Sequence, residues 1–189
     1  MKNKFIIFCI LFFNTNFAYS NEVVSLIQNN WDEVNSMSGN FLQTDSDGIT
    51  LKGKFYFLKP YQAKFLYDDR SENIITNKSL LRIVDEEGYQ IDSYPIGNNI
   101  IKKLLSKDFE IDKEFKILEV IIKEKEYQLK LGLLETDLNN RILLSFDKNT
   151  MDLKKWAIYE EFGDKTVLEF TKIKKNIFIS QNIFAVKYK

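Results

Sequence analysis

Apolar residues recur along this chain with two periods, and the change from one to the other divides it. Between Glu22 and Met37, the residues Val23, Val24, Ile27, Trp31, Val34 and Met37 return at spacings of three and four, with Gln28, Asn29, Asp32, Glu33 and Asn35 elsewhere. That is one stripe of an amphipathic helix, and Gly39 follows as its stop. Beyond it the period falls to two, the repeat of a strand whose side chains alternate between faces. Strands are predicted over 40–44, 49–58, 63–67, 72–76, 79–85, 90–94, 115–123, 126–133, 141–147, 153–160 and 167–173. Turn residues separate them, among them Asp47-Gly48, Asn77-Lys78, Gly88 and Lys148-Asn149.

One helical stretch interrupts the strands. Over 98–106, Ile100, Ile101, Leu104 and Leu105 fall on one side, and Lys102, Lys103 and Lys107 on the other. A helix of two turns does not stand alone in water, so it must lie on the apolar face of the sheet. The segment 178–188 reads as irregular with at least one short strand. The pattern contains no repeat or linker. It predicts an α+β domain with a closed or nearly closed sheet of about ten strands and at least two helices.

The densest part of the pattern is 53–67. Ile49, Leu51, Gly53, Phe55 and Phe57 share one face of a strand, and Phe65 and Tyr67 extend an apolar wall on the next. The same register carries on to Lys59, which puts a cation on the apolar face just before Pro60. Two readings follow: Lys59 reaches out to solvent along its stem, or it bonds carbonyls or polar groups of a helix lying over the sheet.

Composition changes the picture at the start of the chain. Lys2 and Lys4 precede an apolar run, Phe5 to Phe13, that is too short to span a membrane. Ala18-Tyr19-Ser20 then supplies small residues at the two positions that a signal peptidase reads. Residues 1–20 read as a cleaved secretory leader and 21–189 as one domain. Cys9 lies inside the apolar run after the bulky Phe8, so it is no lipidation site and the exported form is expected to be free of a lipid anchor. The exported form has no cysteine and no disulfide, and its 25 basic and 27 acidic residues give a net charge of −2. No basic footprint points to nucleic acid.

Candidate chemistry is sparse. The chain has no histidine, so the commonest general base and metal ligand is missing, and after the leader no thiol is available either. The acid pairs Asp68-Asp69, Glu86-Glu87 and Glu160-Glu161 flank or lie in turns, and no phosphate-cradling glycine loop occurs. The expectation is a binding protein rather than an enzyme, with no catalytic residue, metal or cofactor.

Several stretches fall in a familiar order: Phe41-Leu42-Gln43, the run from Gly53 to Lys59-Pro60, Lys64-Phe65-Leu66-Tyr67, and Ile74 to Lys78. Leu81 to Asp85 with Gln90, Leu104 to Asp108, and Trp156 to Phe170 with Gly163 to Thr166 continue it. Together they resemble the LolA family, periplasmic carriers that ferry lipoproteins between the two membranes of a Gram-negative cell. The resemblance implies an incomplete antiparallel barrel of ten or eleven strands wrapped around a hydrophobic cavity, with helices over the concave face as a lid. It implies a cavity wall of Phe41, Leu51, Phe55, Phe57, Phe65, Tyr67, Leu81 and Ile83, a lid carrying Ile100, Ile101, Leu104 and Leu105, and Lys59 as its latch. The implied partners are lipoprotein acyl chains, an inner-membrane ABC transporter as donor, and an outer-membrane receptor or the outer membrane itself as acceptor. A monomer in the periplasm is expected. Another envelope lipid-binding or lipid-sensing protein of the same fold is the alternative. The chain departs from the family pattern at Lys59, where the family has arginine, at Ala63 in place of an aromatic, at Asn77-Lys78 in place of Asp-Gly, and in a tail without the usual proline-containing strand.

Overall fold

The computed structural model describes residues 15–97, 99–134, 141–159 and 163–189, with side chains from Ser20 onward. Most of the predicted leader, Asn98 of the short helix, and the acid pair Glu160-Glu161 lie outside the described residues. The chain begins with α1 (Thr15–Asp32) and runs through β1 (Ser36–Thr44), β2 (Thr50–Leu58), β3 (Gln62–Tyr67), β4 (Asn73–Thr76), β5 (Leu80–Val84) and β6 (Gln90–Pro95). Two short helices, α2 (Ile100–Leu104) and α3 (Ile111–Glu114), cross to β7 (Phe115–Ile122), β8 (Glu126–Leu133), β9 (Arg141–Asp147), β10 (Leu153–Tyr159) and β11 (Lys165–Lys175). A single 3₁₀ turn, Gln181–Phe184, lies in the tail.

These 11 strands form one antiparallel sheet in the order β6-β5-β4-β3-β2-β1-β11-β10-β9-β8-β7. Each half is a meander, and the junction of β1 with β11 joins the two halves. The sheet does not close on itself: β6 and β7 remain as edges. It is the incomplete barrel that the resemblance implied.

Register explains the inner face. Residues directly opposite one another in a ladder share a face. Phe55 stands across from Phe65 and Phe65 from Ile74, and Phe57 stands across from Ala63. Phe41 faces Phe170 in the β1–β11 ladder. Leu168, Trp156, Leu144 and Leu129 continue the row through β8. The rings of Phe41, Phe55, Phe57, Phe65, Trp156 and Phe170 form one cluster, with neighbouring centroids from 4.8 to 6.5 Å apart. Aromatic edge-to-face packing at such distances adds to simple burial.

Two glycines make room for it. A Cβ on Gly53 would lie 1.8 Å from the Leu66 carbonyl oxygen and 3.0 Å from the Phe41 ring. A Cβ on Gly39 would come within 2.6 Å of the Thr171 carbonyl oxygen and 2.9 Å of the Phe55 ring. Gly39 is therefore a strand residue in close packing, not the predicted helix stop. The predicted helix 22–37 is corrected in the same place. It ends at Asp32, and Ser36 and Met37 already pair with β2 as the first residues of β1.

The convex face is covered on one half. The tail runs across β2 to β5, and Ile179 and Phe184 bury Ile75 and Val84, with Tyr56, Leu58, Ile177, Ile183 and Val186 packed around them. Lys64 Nζ donates to the Ile183 carbonyl at 3.0 Å. At the far end, Gln90 N–H donates to Lys187 O at 2.9 Å and Lys187 N–H to Gly88 O at 2.8 Å. The predicted short strand of the tail is this single bridge between Tyr89 and Lys187.

Candidate functional site

The concave face is covered by α1, α2 and the segment from Phe109 to Ile111. Val23, Ile27 and Trp31 of α1, Ile100 and Leu104 of α2, Leu105, Phe109 and Ile111 are all buried in the same core as the aromatic cluster. The cover is held by hydrogen bonds that converge on the corner between β2 and β3. Lys59 Nζ donates to the Trp31 carbonyl at 2.6 Å and stands 5.1 Å from the centre of the Trp31 ring. Lys59 N–H donates to Asn35 O at 2.9 Å, and Tyr61 N–H donates to Leu105 O at 2.7 Å. The Trp31 indole N–H in turn donates to Leu104 O at 2.8 Å. One corner thus ties the end of α1 and the end of α2 to the sheet and to each other.

The Trp31, Leu104 and Leu105 carbonyls are among those without a continuing helical turn to satisfy them at the ends of α1 and α2, so the corner supplies donors where they are needed. A second tie lies at the other side of the cover. Gln28 Nε2 donates to Phe109 O at 2.8 Å, and Gln28 Oε1 accepts from Ile111 N–H at 2.9 Å. Lys103 and Glu114 form an ion pair joining α2 to α3.

The position of Lys59 works against its charge. Burial pulls its ammonium down from the usual 10.5 to about 8, against a smaller upward pull from Asp32. Its head also borders a polar cleft of about 480 Å³ lined by Asp32, Asn35, Lys107 and Glu110. Lys59 directly follows β2, is half-buried, and points its head at the end of α1.

Under α2 lies a small cavity of about 110 Å³. Phe65, Tyr67 and Leu81 line it from the sheet, and Ile100 and Ile101 from the cover. Phe41, Phe55 and Phe57 are instead packed into the aromatic core beside it. Leu51 and Ile83 are half-buried on the same face, away from the cavity wall. Leu104 and Leu105 are buried where α2 ends, with carbonyls that accept from Trp31 and Tyr61. The sequence reading missed the opposite wall, Trp156 and Ile158 of β10 and Leu168 of β11, and the polar members Gln43 and Asn99. The signal was present: Trp156 and Ile158 alternate along β10 as Phe55 and Phe57 do along β2. At 110 Å³ the space is well below the roughly 300–1,000 Å³ of small-molecule sites. This cavity is too small, as it stands, for a long acyl chain.

The family model described as outer membrane lipoprotein carrier protein LolA matches residues 32–187. The chain belongs to the LolA family. The match takes in all 11 strands and both short helices of the cover. An uncharacterised protein of Rickettsia prowazekii (strain Madrid E) is 28% identical over 173 residues, covering 90% of this chain and 80% of its own. Among solved structures, a DUF1329 family protein from Desulfovibrio piger superposes with a TM-score of 0.54 at 10% identity, over 89% of this chain and 96% of that one. An uncharacterised conserved protein from Thermus thermophilus gives 0.53 at 9% identity, over 90% and 99%. The MucA/MucB complex of Pseudomonas aeruginosa gives 0.50 at 11% identity, over 87% of this chain and 61% of that one. At these identities the structures share the fold. LolA-family membership makes this a lipid- or lipoprotein-binding fold of the periplasm rather than an enzyme family. Among the described residues no helix is long and apolar enough to cross a membrane.

Proposed function

We propose that this chain is a periplasmic carrier. It takes the acyl chains of a lipoprotein beneath the cover of α1 and α2, receives them from an inner-membrane ABC transporter, and delivers them to an outer-membrane receptor or to the outer membrane. Residues 1–20 are its export leader and 21–189 the carrier domain, acting as a monomer. The observation that supports the reading most is a wide apolar concave face shut by a cover, with a cavity of about 110 Å³ between them under α2.

A carrier has to release its cargo. Burying an acyl chain is worth about 0.8 kcal/mol per CH₂, so a permanently open cavity would hold long chains too tightly to pass them on. A cover that prefers to close on the empty cavity opposes binding by the difference between its open and closed forms. Lys59 is the latch in this scheme, because its bond to Trp31 O forms only with α1 seated on the sheet. Lysine offers one ammonium where the family's arginine would offer a planar fork of donors, so fewer bonds hold this cover.

The experiment uses the exported form, residues 21–189, incubated with energised inner membranes that carry lipoproteins and the cognate transporter. A soluble lipoprotein complex that passes its cargo to outer membranes is expected. Absence of a soluble complex sinks the carrier reading, and a complex that forms without hand-off favours an envelope lipid sensor instead. Lys59→Ala is expected to bind a fluorescent lipid probe several-fold more tightly and to hand off more slowly, since the closed empty form loses a charge-assisted bond. Unchanged affinity together with unchanged hand-off removes Lys59 from the latch.

A further inference from the structure

The chain has two tryptophans, and their indole N–H groups are treated differently. Trp31 donates to Leu104 O. Trp156 is 2% exposed, and its Nε1–H has no acceptor among the described residues. A buried indole N–H ordinarily finds a partner, and leaving one unpaired costs free energy. Trp156 also lines the cavity under α2. The unpaired donor and the empty space therefore occur together.

The other polar groups on the wall have the same bias. Tyr67 O–H donates to Gln43 Oε1 at 2.8 Å, which engages that oxygen and leaves both Gln43 amide hydrogens to offer. Asn99 Oδ1 accepts from Ile101 N–H at 2.8 Å, which leaves the Asn99 amide hydrogens. Among the described residues the rest of the lining is apolar, with no charged side chain in it. The unmet need on this wall is the Trp156 donor, so the group that suits it best accepts a hydrogen bond and carries no charge. A hydroxyl or an amine would have to place its own donors on the oxygens of Gln43, Asn99 or Tyr67, which are already engaged in hydrogen bonds, and would still leave the Trp156 donor to be met; a carboxylate would be buried without a counter-ion.

The geometry points to an anchor for the neutral carbonyl of an esterified or amide-linked acyl chain, with Trp156 Nε1–H as its principal donor and Gln43 and Asn99 beside it. This rests on the lipid-binding reading above and deepens it: the cavity recognises the linkage of the chain as well as its length. A free fatty acid is discriminated against by its charge, and a plain alkane by its lack of an acceptor. Lipoproteins and phospholipids both present such carbonyls.

The test compares methyl palmitate, octadecane and palmitate, each delivered from cyclodextrin to residues 21–189 and read by displacement of a fluorescent lipid probe. Wild type is expected to prefer the ester to the alkane by about tenfold, the scale of one buried hydrogen bond, and to take palmitate least well near neutral pH. In Trp156→Phe the ester-to-alkane ratio is expected to fall towards one, and because the ratio is taken within one protein, a general loss of affinity cancels. A second measurement needs no variant. In ¹⁵N-tryptophan-labelled protein the Trp156 indole signal is expected to move downfield with the ester and not with the alkane. Equal binding of ester and alkane by wild type with an unmoved Trp156 signal overturns the anchor and leaves the carrier reading standing. Binding of none of the three ligands overturns both. Competition by a synthetic diacylglyceryl-cysteine peptide or by phosphatidylethanolamine, either of which supports the anchor, identifies the source of the carbonyl.

Discussion

Lys59 is a cation whose surroundings disfavour its charge, and that has a sign that can be measured. Its pKa is about 8 in the folded protein against the usual 10.5, so between those values the unfolded chain binds more protons at this site. Stability then rises with pH across that window. The cost of keeping the ammonium buried is carried in full below about pH 8 and is relieved towards 10.5. The melting temperature of wild type is expected to gain on that of Lys59→Met between pH 8 and pH 10, with both proteins measured in the same buffers. A difference that shrinks over that interval would mean that the bond to Trp31 O, and not desolvation, governs the ammonium. The position of Lys59 was legible from the period-two register of β2. Its acceptor was not, because the Trp31 carbonyl belongs to an element 28 residues away and no local pattern names the partner of a side chain.

At the level of elements, α1 and α2 act on each other through Trp31. α2 spans only five residues, too few to be stable unaided, so its order depends on what holds its ends. Asn99 caps its start by accepting from Ile101 N–H, and Trp31 and Tyr61 hold its last carbonyls. Removing one such bond exposes a carbonyl at a cost of about 1 kcal/mol. Trp31→Phe is expected to speed hydrogen exchange at the amides of Lys103 and Leu105 roughly fivefold, while the ladder between β8 and β9 keeps its protection. An equal change in both places would indicate general destabilisation and no specific coupling of the helices.

The strands were readable because alternation persists for five residues or more in most of them. The helix end was misread for a definite reason. Trp31, Val34 and Met37 keep the spacing of a helix stripe although the chain has turned at Val34, where its N–H donates to Trp31 O. A buried residue at the helix end, one on the turn and one at the strand start mimic one helical face. α3 and the turn at Gln181–Phe184 span four residues each, shorter than the window any periodicity needs.

Over the whole molecule, the tail closes the convex side as the helices close the concave one. Its apolar residues Ile177, Ile179, Ile183 and Phe184 cover Ile75 and Val84, and Lys64, whose ammonium burial also pulls down, is tied to Ile183 O. Ending the chain after Asn176 uncovers that cluster. With about 1.5–3 kcal/mol for each large apolar side chain buried, the truncated protein is expected to melt at least 10 °C lower and to bind a hydrophobic dye. A truncated protein that melts where wild type does would show the tail to be incidental to the fold. The strand order could not be read from the sequence. β1 and β11 are neighbours although Phe41 and Phe170 stand far apart in the chain, and alternation says which face a residue occupies without saying which strand lies beside it.

The two unjoined edges, β6 and β7, bear on what this protein can accommodate. In a closed barrel, strand number and stagger fix the girth, so the interior has one size. A sheet with a seam is free of that rule: it can uncurl by small changes of twist at every ladder without breaking one. Its capacity is then elastic, set by how far the seam spreads against the pull of the two helices. In the carrier role proposed above, one sheet of this kind could be stretched by cargoes of unequal bulk, and the recoil of the seam would help to expel each of them.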